Sequence, residues 1–175
     1  MHTTKQINGF TLFEMIIGLS ILSILTVYAI PNYQTFKQNS NMTHELNRLV
    51  RTINFARNQS IHLSQHTVLC ASQSLTDCDG QSQWHLGWLV FADINRNKKY
   101  DATDQLLLTE QKMKTELKAV SSQFRSKIRF DRTGFSPGTN LTIRLCDHRG
   151  EVSGKSIVVS NVGRPRVTKK INRCG

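Results

Sequence analysis

The C-terminal segment carries side chains whose types and spacing could bind a phosphate backbone. Arg164 and Arg166 flank Pro165, which fixes its own φ near about −65° and favours an extended conformation at the residue before it. In an extended chain, residues two apart project to the same side at about 6.6–6.8 Å, close to the spacing of successive phosphates. Each guanidinium can hold a phosphate by two parallel hydrogen bonds. Further positive charge comes from Lys169, Lys170 and Arg173.

The charge of the chain is concentrated towards the same end. The 175 residues include 23 Lys and Arg against 12 Asp and Glu, a formal net charge of +11. Residues 1–111 hold 8 basic and 8 acidic side chains, whereas residues 112–175 hold 15 basic and 4 acidic ones. Such a surplus predicts an anionic partner, which is nucleic acid, acidic lipid or an acidic protein surface. No base-reading helix or stacking aromatic lies near the two arginines, so contacts to nucleic acid should lack sequence preference.

The N-terminal segment predicts a membrane-spanning helix. Phe10–Ile30 is 21 residues long with one charged residue, Glu14, and a helix of that length reaches about 31 Å, enough for a bilayer core. A polar leader, Met1–Gly9, precedes it, so that cleavage after Gly9 leaves the helix on the mature chain. The new α-amine at Phe10 would then lie one turn from Glu14 and could pair with it. The alternative is that Glu14 extends to the membrane interface.

The rest of the chain predicts one amphipathic helix followed by strands. Pro31 and the polar stretch 32–41 should kink or loosen the helix. Apolar residues then return at helical spacing from Met42 to Ile61, with Arg48, Arg51 and Arg57 on a solvated face. Six strands follow, separated by turns: Thr67–Ala71, Leu86–Ala92, Gln105–Gln111, Lys127–Asp131, Leu141–Cys146 and Ser156–Ser160. A long helix before short strands predicts an α+β fold with a mostly antiparallel sheet.

The four cysteines form a near pair, Cys70 and Cys78, and a far pair, Cys146 and Cys174. A domain that is exported across a membrane can meet an oxidising compartment, where disulfides form. Four cysteines allow three connectivities, and we favour Cys70–Cys78 with Cys146–Cys174, which would tie the basic tail to a strand. No cysteine or histidine spacing fits a zinc site.

Two further kinds of chemistry have weaker support in the sequence. Residues 93–104 place oxygen side chains at five positions of a calcium loop, but Lys98 stands where the glycine of such a loop belongs. A hairpin loop rich in Asx-turns explains the same composition without an ion. The histidines lie near no nucleophile or paired acid, and no catalytic or phosphate-binding motif occurs, so we expect neither an enzyme nor a cofactor.

The block Gly9-Phe10-Thr11-Leu12-Phe13-Glu14, followed by an apolar helix, resembles the class III signal of type IV pilins and of type II secretion pseudopilins. The resemblance implies a leader at residues 1–9, a transmembrane and filament-core helix at 10–36, and a periplasmic β-rich head within 37–175. It also implies cleavage after Gly9 by a prepilin peptidase, N-methylation of Phe10 and a role of Glu14 in assembly. The protein would lie in the inner membrane and then join other pilin subunits in a surface pilus.

The stretch Gly163-Arg164-Pro165-Arg166 resembles the G-R-x-R motif of FimT-type minor pilins, which belong with GspH to one pilin-like family. The resemblance also covers the Gly87–Asn95 segment and the paired cysteines. It implies binding of extracellular double-stranded DNA in natural transformation, with Arg164 and Arg166 as the main contacts. The alternative is a structural minor pilin or a type II secretion pseudopilin, whose basic tail would contact an acidic neighbouring subunit.

Overall fold

The computed structural model describes residues 9–113, 116–169, 171 and 173–174. It divides the chain into an N-terminal unit that ends at Gln38 and a head that begins at Asn39. The described residues form a long helix, α1 (Leu12–His62), two short 3₁₀ helices (Trp84–Leu86 and Gly150–Ser153) and eight strands. The strands are β1 (Thr67–Ala71), β2 (Gly87–Ala92), β3 (Gln105–Gln111), β4 (Lys118–Val120), β5 (Lys127–Phe130), β6 (Leu141–Cys146), β7 (Lys155–Val159) and β8 (Pro165–Thr168).

The described part of the N-terminal unit is exposed almost throughout and is apolar up to Ile30. By length and composition α1 could cross a membrane, since an 18-residue window has a mean hydropathy of 2.1 and is 0% buried. Hydroxyl groups in this stretch are turned back onto helix carbonyls, as Ser20 donates to the Ile17 carbonyl at 2.8 Å and Thr26 to the Ser23 carbonyl at 2.9 Å. Their hydrogen bonds are therefore satisfied inside the helix, which suits an apolar environment.

The predicted loosening of the helix after Pro31 does not occur, because α1 continues through this residue. The proline lacks the N–H that would bond the Val27 carbonyl, and side chains near it make further hydrogen bonds to other carbonyls of the helix. The Asn32 amide donates to the Tyr28 carbonyl at 2.9 Å, and the Thr35 hydroxyl donates to the Pro31 carbonyl at 3.0 Å. These local bonds stabilise the turn that a proline normally weakens.

The head consists of two antiparallel four-stranded sheets. The first sheet has the strand order β3-β2-β1-β5 and the second the order β4-β6-β7-β8. Alternation in β6 places Leu141, Ile143 and Leu145 in the core, with Thr142 and Arg144 on the opposite face. One core cluster joins the apolar residues of α1 from Met42 to Ala56 with the inner faces of both sheets. The predicted α+β fold with a mostly antiparallel head is confirmed.

A buried ionic cluster joins α1 to the first sheet. Arg48 lies 2.9 Å from both Glu45 and Glu110, and its guanidinium lies 4.6 Å from the centroid of the Trp88 ring. The Trp88 indole donates in turn to the Thr52 hydroxyl at 3.1 Å. The interpretation of Arg48 as a solvated side chain is therefore wrong, since its side chain is only 12% exposed. Sequence spacing could not indicate this, because Glu110 and Trp88 come from distant strands.

The outer face of the first sheet carries a second, smaller core. Val68, Leu89 and Phe91 are buried there with Cys70, and the ring of Tyr100 packs 5.4 Å from that of Phe91. The disulfide between Cys70 and Cys78 fastens the loop after β1 over this core. Loops thus cover much of the outer face of this sheet.

All six predicted strands occur, with bounds shifted by at most one residue. Three have the predicted bounds, β2 and β5 differ by one residue at one end, and β7 is shifted by one residue at both ends. The sequence analysis missed β4 and β8. β4 has three residues, and β8 begins with a proline, which lacks a backbone N–H donor and is accepted at sheet edges. Both are edge strands of the second sheet.

Candidate functional site

The hairpin of β7 and β8 positions the predicted Arg164 and Arg166. Arg166 pairs with Val158 in the register of the two strands, and the Ser160 N–H donates to the Arg164 carbonyl at 3.5 Å, which extends the pairing to the turn. Residues two apart on a strand lie on one face. The segment is extended, as the sequence predicted, but it is an edge strand of a sheet. Both arginine side chains are exposed.

Gly163 makes the turn that precedes the two arginines. Its φ of 77° lies in the left-handed region, and its N–H donates to the Ser160 carbonyl at 2.8 Å, which closes the turn between β7 and β8. A Cβ at this position would overlap the carbonyl oxygen of Gly134 and press on the ring of Phe130. The first residue of the Gly-Arg-Pro-Arg stretch is therefore structural, because it allows the hairpin to close.

The segment that follows β8 is attached to the head at two points. Cys174 forms a disulfide with Cys146 at the end of β6. Ile171 packs so close to Gly154 that a Cβ there would overlap its side chain. Lys169 and Arg173 are exposed in this segment, whereas the predicted Lys170 lies outside the described residues. The disulfide connects the basic tail to the sheet that carries Arg166.

The outer face of the second sheet extends the basic surface beyond the tail. Arg166 and Val158 lie in one row with Thr142 of β6, and Arg144 lies two residues further along that strand. A groove of about 380 Å³ on this face is lined in part by Arg125, Thr142, Arg144 and Val158. We call the set of Arg125, Arg144, Arg164 and Arg166 the arginine face. It brings together residues from β6, β8 and the loop before β5.

The charges of the arginine face are not neutralised within the protein. In the described part of the chain, no carboxylate forms an ion pair with any of its four arginines. Arg125 donates to the carbonyl and the side-chain oxygen of Asn140 at 2.7 and 2.6 Å, both neutral groups. Desolvated or unpaired guanidinium groups favour an anionic ligand.

Arg125 and Arg144 are the functional candidates that the sequence analysis missed. A signal for Arg144 was present, because the alternation of Leu141–Cys146 places its side chain on the face away from the core. Its closeness to Arg166 depends on β7 pairing with both β6 and β8. No local pattern in the sequence indicates this pairing of strands.

Most of the oxygen ligands that a calcium loop would need at residues 93–104 accept hydrogen bonds from the loop itself, although one buried oxygen of Asp93 has no hydrogen-bond partner among the described residues. Asp101 accepts from Thr103, Asn95 and Asn97, and these bonds hold the pKa of its carboxyl far below the ordinary range. One carboxylate oxygen of Asp93 accepts from the Lys98 N–H at 3.1 Å. Within the described residues, no group of three or more acidic, histidine or cysteine side chains could hold a metal ion.

At the start of α1, Thr11 and Glu14 form a capping box. The Glu14 carboxylate accepts from the Thr11 N–H at 3.0 Å and from its hydroxyl at 3.2 Å, while the Glu14 N–H donates to that hydroxyl at 3.2 Å. The T-x-x-E pattern is the sequence signature of this cap, and the sequence analysis overlooked it. Glu14 is thus satisfied within its own chain, next to the exposed Gly9 and Phe10.

Comparison with known proteins identifies the family. The model of the family described as type II transport protein GspH matches residues 45–163, and the prokaryotic N-terminal methylation motif matches residues 4–30. A comparison with curated proteins finds no match.

Two solved structures share the fold. They are crystal structures, in space groups P21 and P65, of the type IV minor pilin FimU from Pseudomonas aeruginosa strain PAO1. The first is 17% identical, with a TM-score of 0.64, over 80% of this chain and 99% of that one. The second is also 17% identical, with a TM-score of 0.58, over 74% of this chain and 96% of that one.

Proposed function

The chain belongs to the GspH family of type IV pilin-like proteins, and we propose that it is a minor pilin that binds double-stranded DNA without sequence preference. In this function the protein aids the uptake of extracellular DNA in natural transformation. The observation that carries the proposal is the arginine face, in which Arg164 and Arg166 are exposed at the start of an edge strand and form no ion pair with a carboxylate among the described residues.

The chemistry of this surface suits a phosphate backbone better than bases. Guanidinium groups grip phosphate oxygens in pairs, and such contacts carry no sequence information. β8 is an edge strand, so a rod-shaped ligand can approach it from the side as well as from above. Lys169 and Arg173 are exposed in the segment beyond Arg166, and with Lys170 they would strengthen the local positive field.

The N-terminal unit supplies the route to the cell surface. The methylation motif and the apolar helix are those of a single-pass inner-membrane pilin whose head is assembled into a pilus with other subunits. We propose that prepilin peptidase cleaves between Gly9 and Phe10 and that the α-amine of Phe10 is then methylated. Mass spectrometry of the protein from membranes tests this: the expected N-terminus is a methylated Phe10, and an intact leader would contradict it.

Cleavage also suggests how Glu14 acts in assembly. Before cleavage its carboxylate accepts from Thr11. A free α-amine at Phe10 would add a cation close to this carboxylate. We propose that Glu14 then pairs with the N-terminus of its own or a neighbouring subunit, since an unpaired charge is costly in an apolar filament core. Glu14→Gln should reduce incorporation into pili while cleavage continues, and unchanged incorporation would refute this role.

A mobility-shift experiment tests DNA binding. The head, residues 37–175, contains the whole described core, so it can be studied without the membrane helix. At about 50 mM salt the wild-type head should retard duplex DNA of any sequence, and Arg164→Gln with Arg166→Gln should abolish most of the retardation. The matched control is Arg51→Gln with Lys112→Gln, which removes two exposed charges elsewhere. Equal retardation by the two double variants would refute the site.

A structural role is the second candidate, favoured by the GspH description of the matching family model. In that role the protein would be a minor pilin or a type II secretion pseudopilin, and the basic tail would contact an acidic neighbouring subunit. The wild-type head would then fail to retard duplex DNA even at about 50 mM salt. DNA binding that depends on Arg164 and Arg166 would exclude a purely structural role.

A further inference from the structure

The loop between β4 and β5 presents an aromatic side chain to solvent. Phe124 is 98% exposed, although an aromatic ring of this size normally gains stability from burial. The loop around it is nevertheless held in place. The Arg125 N–H donates to the Ser122 carbonyl at 2.9 Å, and the Ser121 hydroxyl donates to the Arg125 carbonyl at 3.0 Å while it accepts from the Trp84 indole at 3.0 Å. An ordered turn therefore displays the ring.

Phe124 lines a groove whose charged side chains are all cations. The groove measures about 290 Å³, and its charged lining residues are Lys98, Arg125, Lys127 and Arg129. The Lys127 ammonium donates to the Lys98 carbonyl at 2.8 Å. Burial and the nearby Lys99 lower its pKa, and the attraction of Asp93 offsets this only in part. An anion bound in the groove would reduce the repulsion between its positively charged side chains. We call this site the aromatic groove.

A neighbouring depression differs from the aromatic groove in the charge of its lining residues. That depression, about 270 Å³ in volume, shares Lys98 and Arg129 with the groove but is also lined by Asp93 and Asp131. These carboxylates repel phosphate and offset the charge of its cations, which also include Arg96. Among the lining residues of the aromatic groove there is no carboxylate. The charge of the groove is thus complementary to a phosphodiester chain.

The aromatic groove is continuous with the arginine face. Arg125 lines both the aromatic groove and the groove that contains Arg144, and Arg144 lies near Arg166 across β7. A nucleic-acid strand that leaves one site therefore meets the other without crossing an acidic surface. Cations with an exposed aromatic ring are the usual combination in surfaces that bind single strands, where the ring stacks on a base. In a duplex the base faces are covered by neighbouring bases.

We propose that the aromatic groove binds a single-stranded segment of DNA, with Phe124 stacked on an unpaired base and the surrounding cations on its phosphates. This inference rests on the proposed function, since the segment would be the unpaired end of a duplex held by the arginine face. Phe124 selects for unpaired bases, and the arginine face holds the backbone.

The test compares two fluorescent probes on the full mature chain in non-ionic detergent. One probe is an oligo-dT of about 16 nucleotides, and the other is a duplex of the same length closed at both ends by a linker that contains no nucleotides. Phe124→Ala should weaken oligo-dT binding by about 5- to 150-fold, which is the range for loss of one stacked base. Binding to the closed duplex should change less than about twofold, and Phe124→Trp should retain oligo-dT binding.

The matched control is Phe135→Ala, which removes an exposed phenylalanine from the loop after β5 and should leave both affinities unchanged. An unchanged oligo-dT affinity in Phe124→Ala would overturn the inference, and an acidic subunit would then be the better partner for the groove. If the closed duplex still required Arg164 and Arg166, the proposed function would stand without it. No binding of either probe by the wild-type chain would overturn both.

Discussion

Arg144→Gln tests whether the arginine face contacts DNA as one surface. The substitution removes one cation from the middle of β6, where Arg144 lies opposite Val120 and Ser156. It leaves Arg164 and Arg166 in place. If each of the four arginines neutralises one phosphate, the logarithm of the binding constant falls against the logarithm of salt with a slope of about −3.6, because each phosphate contributes about −0.9.

The loss of one phosphate contact should change the salt dependence of binding by a measurable amount. Between about 50 and 200 mM salt, four contacts predict a loss of affinity of roughly 150-fold, and three contacts predict roughly 40-fold. Arg144→Gln should therefore bind more weakly than the wild type at low salt and approach it as salt rises. The expected slope for the variant is about −2.7.

The assay is fluorescence anisotropy of a labelled duplex titrated with the head at several salt concentrations. Arg51→Gln is the matched control, because it changes the net charge equally but lies on the exposed side of α1. Its slope should equal that of the wild type. If Arg144→Gln left the slope unchanged, or if both variants shifted it equally, Arg144 would contribute only through the overall field, and the arginine face would not be a contact surface.

Three further predictions concern the residues that hold the site. Arg48→Met removes the guanidinium that pairs with the buried Glu45 and with Glu110, so urea unfolding of the head should show a loss of about 3–5 kcal/mol; less than about 1 kcal/mol would mean that other groups or water compensate the Glu45 carboxylate. Gly163→Ala should lower both the melting temperature and duplex affinity, whereas an unchanged affinity would show that the turn does not position Arg164. Burial would raise the pKa of Asp147, but hydrogen bonds from Arg149 and Ser153 outweigh it and lower that pKa. Its contribution to stability is therefore complete above the unfolded pKa of about 3.9 and is lost as the pH falls towards the folded value. Asp147→Asn should flatten the acid side of the pH–stability curve, and an unchanged curve would contradict the assignment.

The sequence predicted the elements whose signals are local. The six predicted strands have apolar alternation or apolar runs bounded by turn residues, and the long helix has its apolar spacing on both sides of Pro31. β4 and β8 lack such signals, because one has three residues and the other begins with Pro165. Their strand conformation comes from neighbours that supply hydrogen bonds at the sheet edges.

The same distinction applies to the candidate site. Arg164 and Arg166 could be identified because a proline between two arginines fixes the local spacing. Arg48 was misjudged because its partners, Glu110 and Trp88, lie on strands far along the chain. Phe124 gave no signal either, since the sequence does not reveal that an aromatic residue in a loop lacks a packing partner.

The positive charge that the sequence places in residues 112–175 is, in the folded head, divided between two surfaces. Arg144, Arg164 and Arg166 lie on the outer side of the second sheet, whereas Lys127 and Arg129 belong to an edge strand of the first. Arg125 connects them because it lines a groove on each side. Basic residues that are close in sequence therefore form a continuous path across both sheets in the folded head. Net charge alone could not indicate this path, because it depends on how the strands of the two sheets are placed in the folded head.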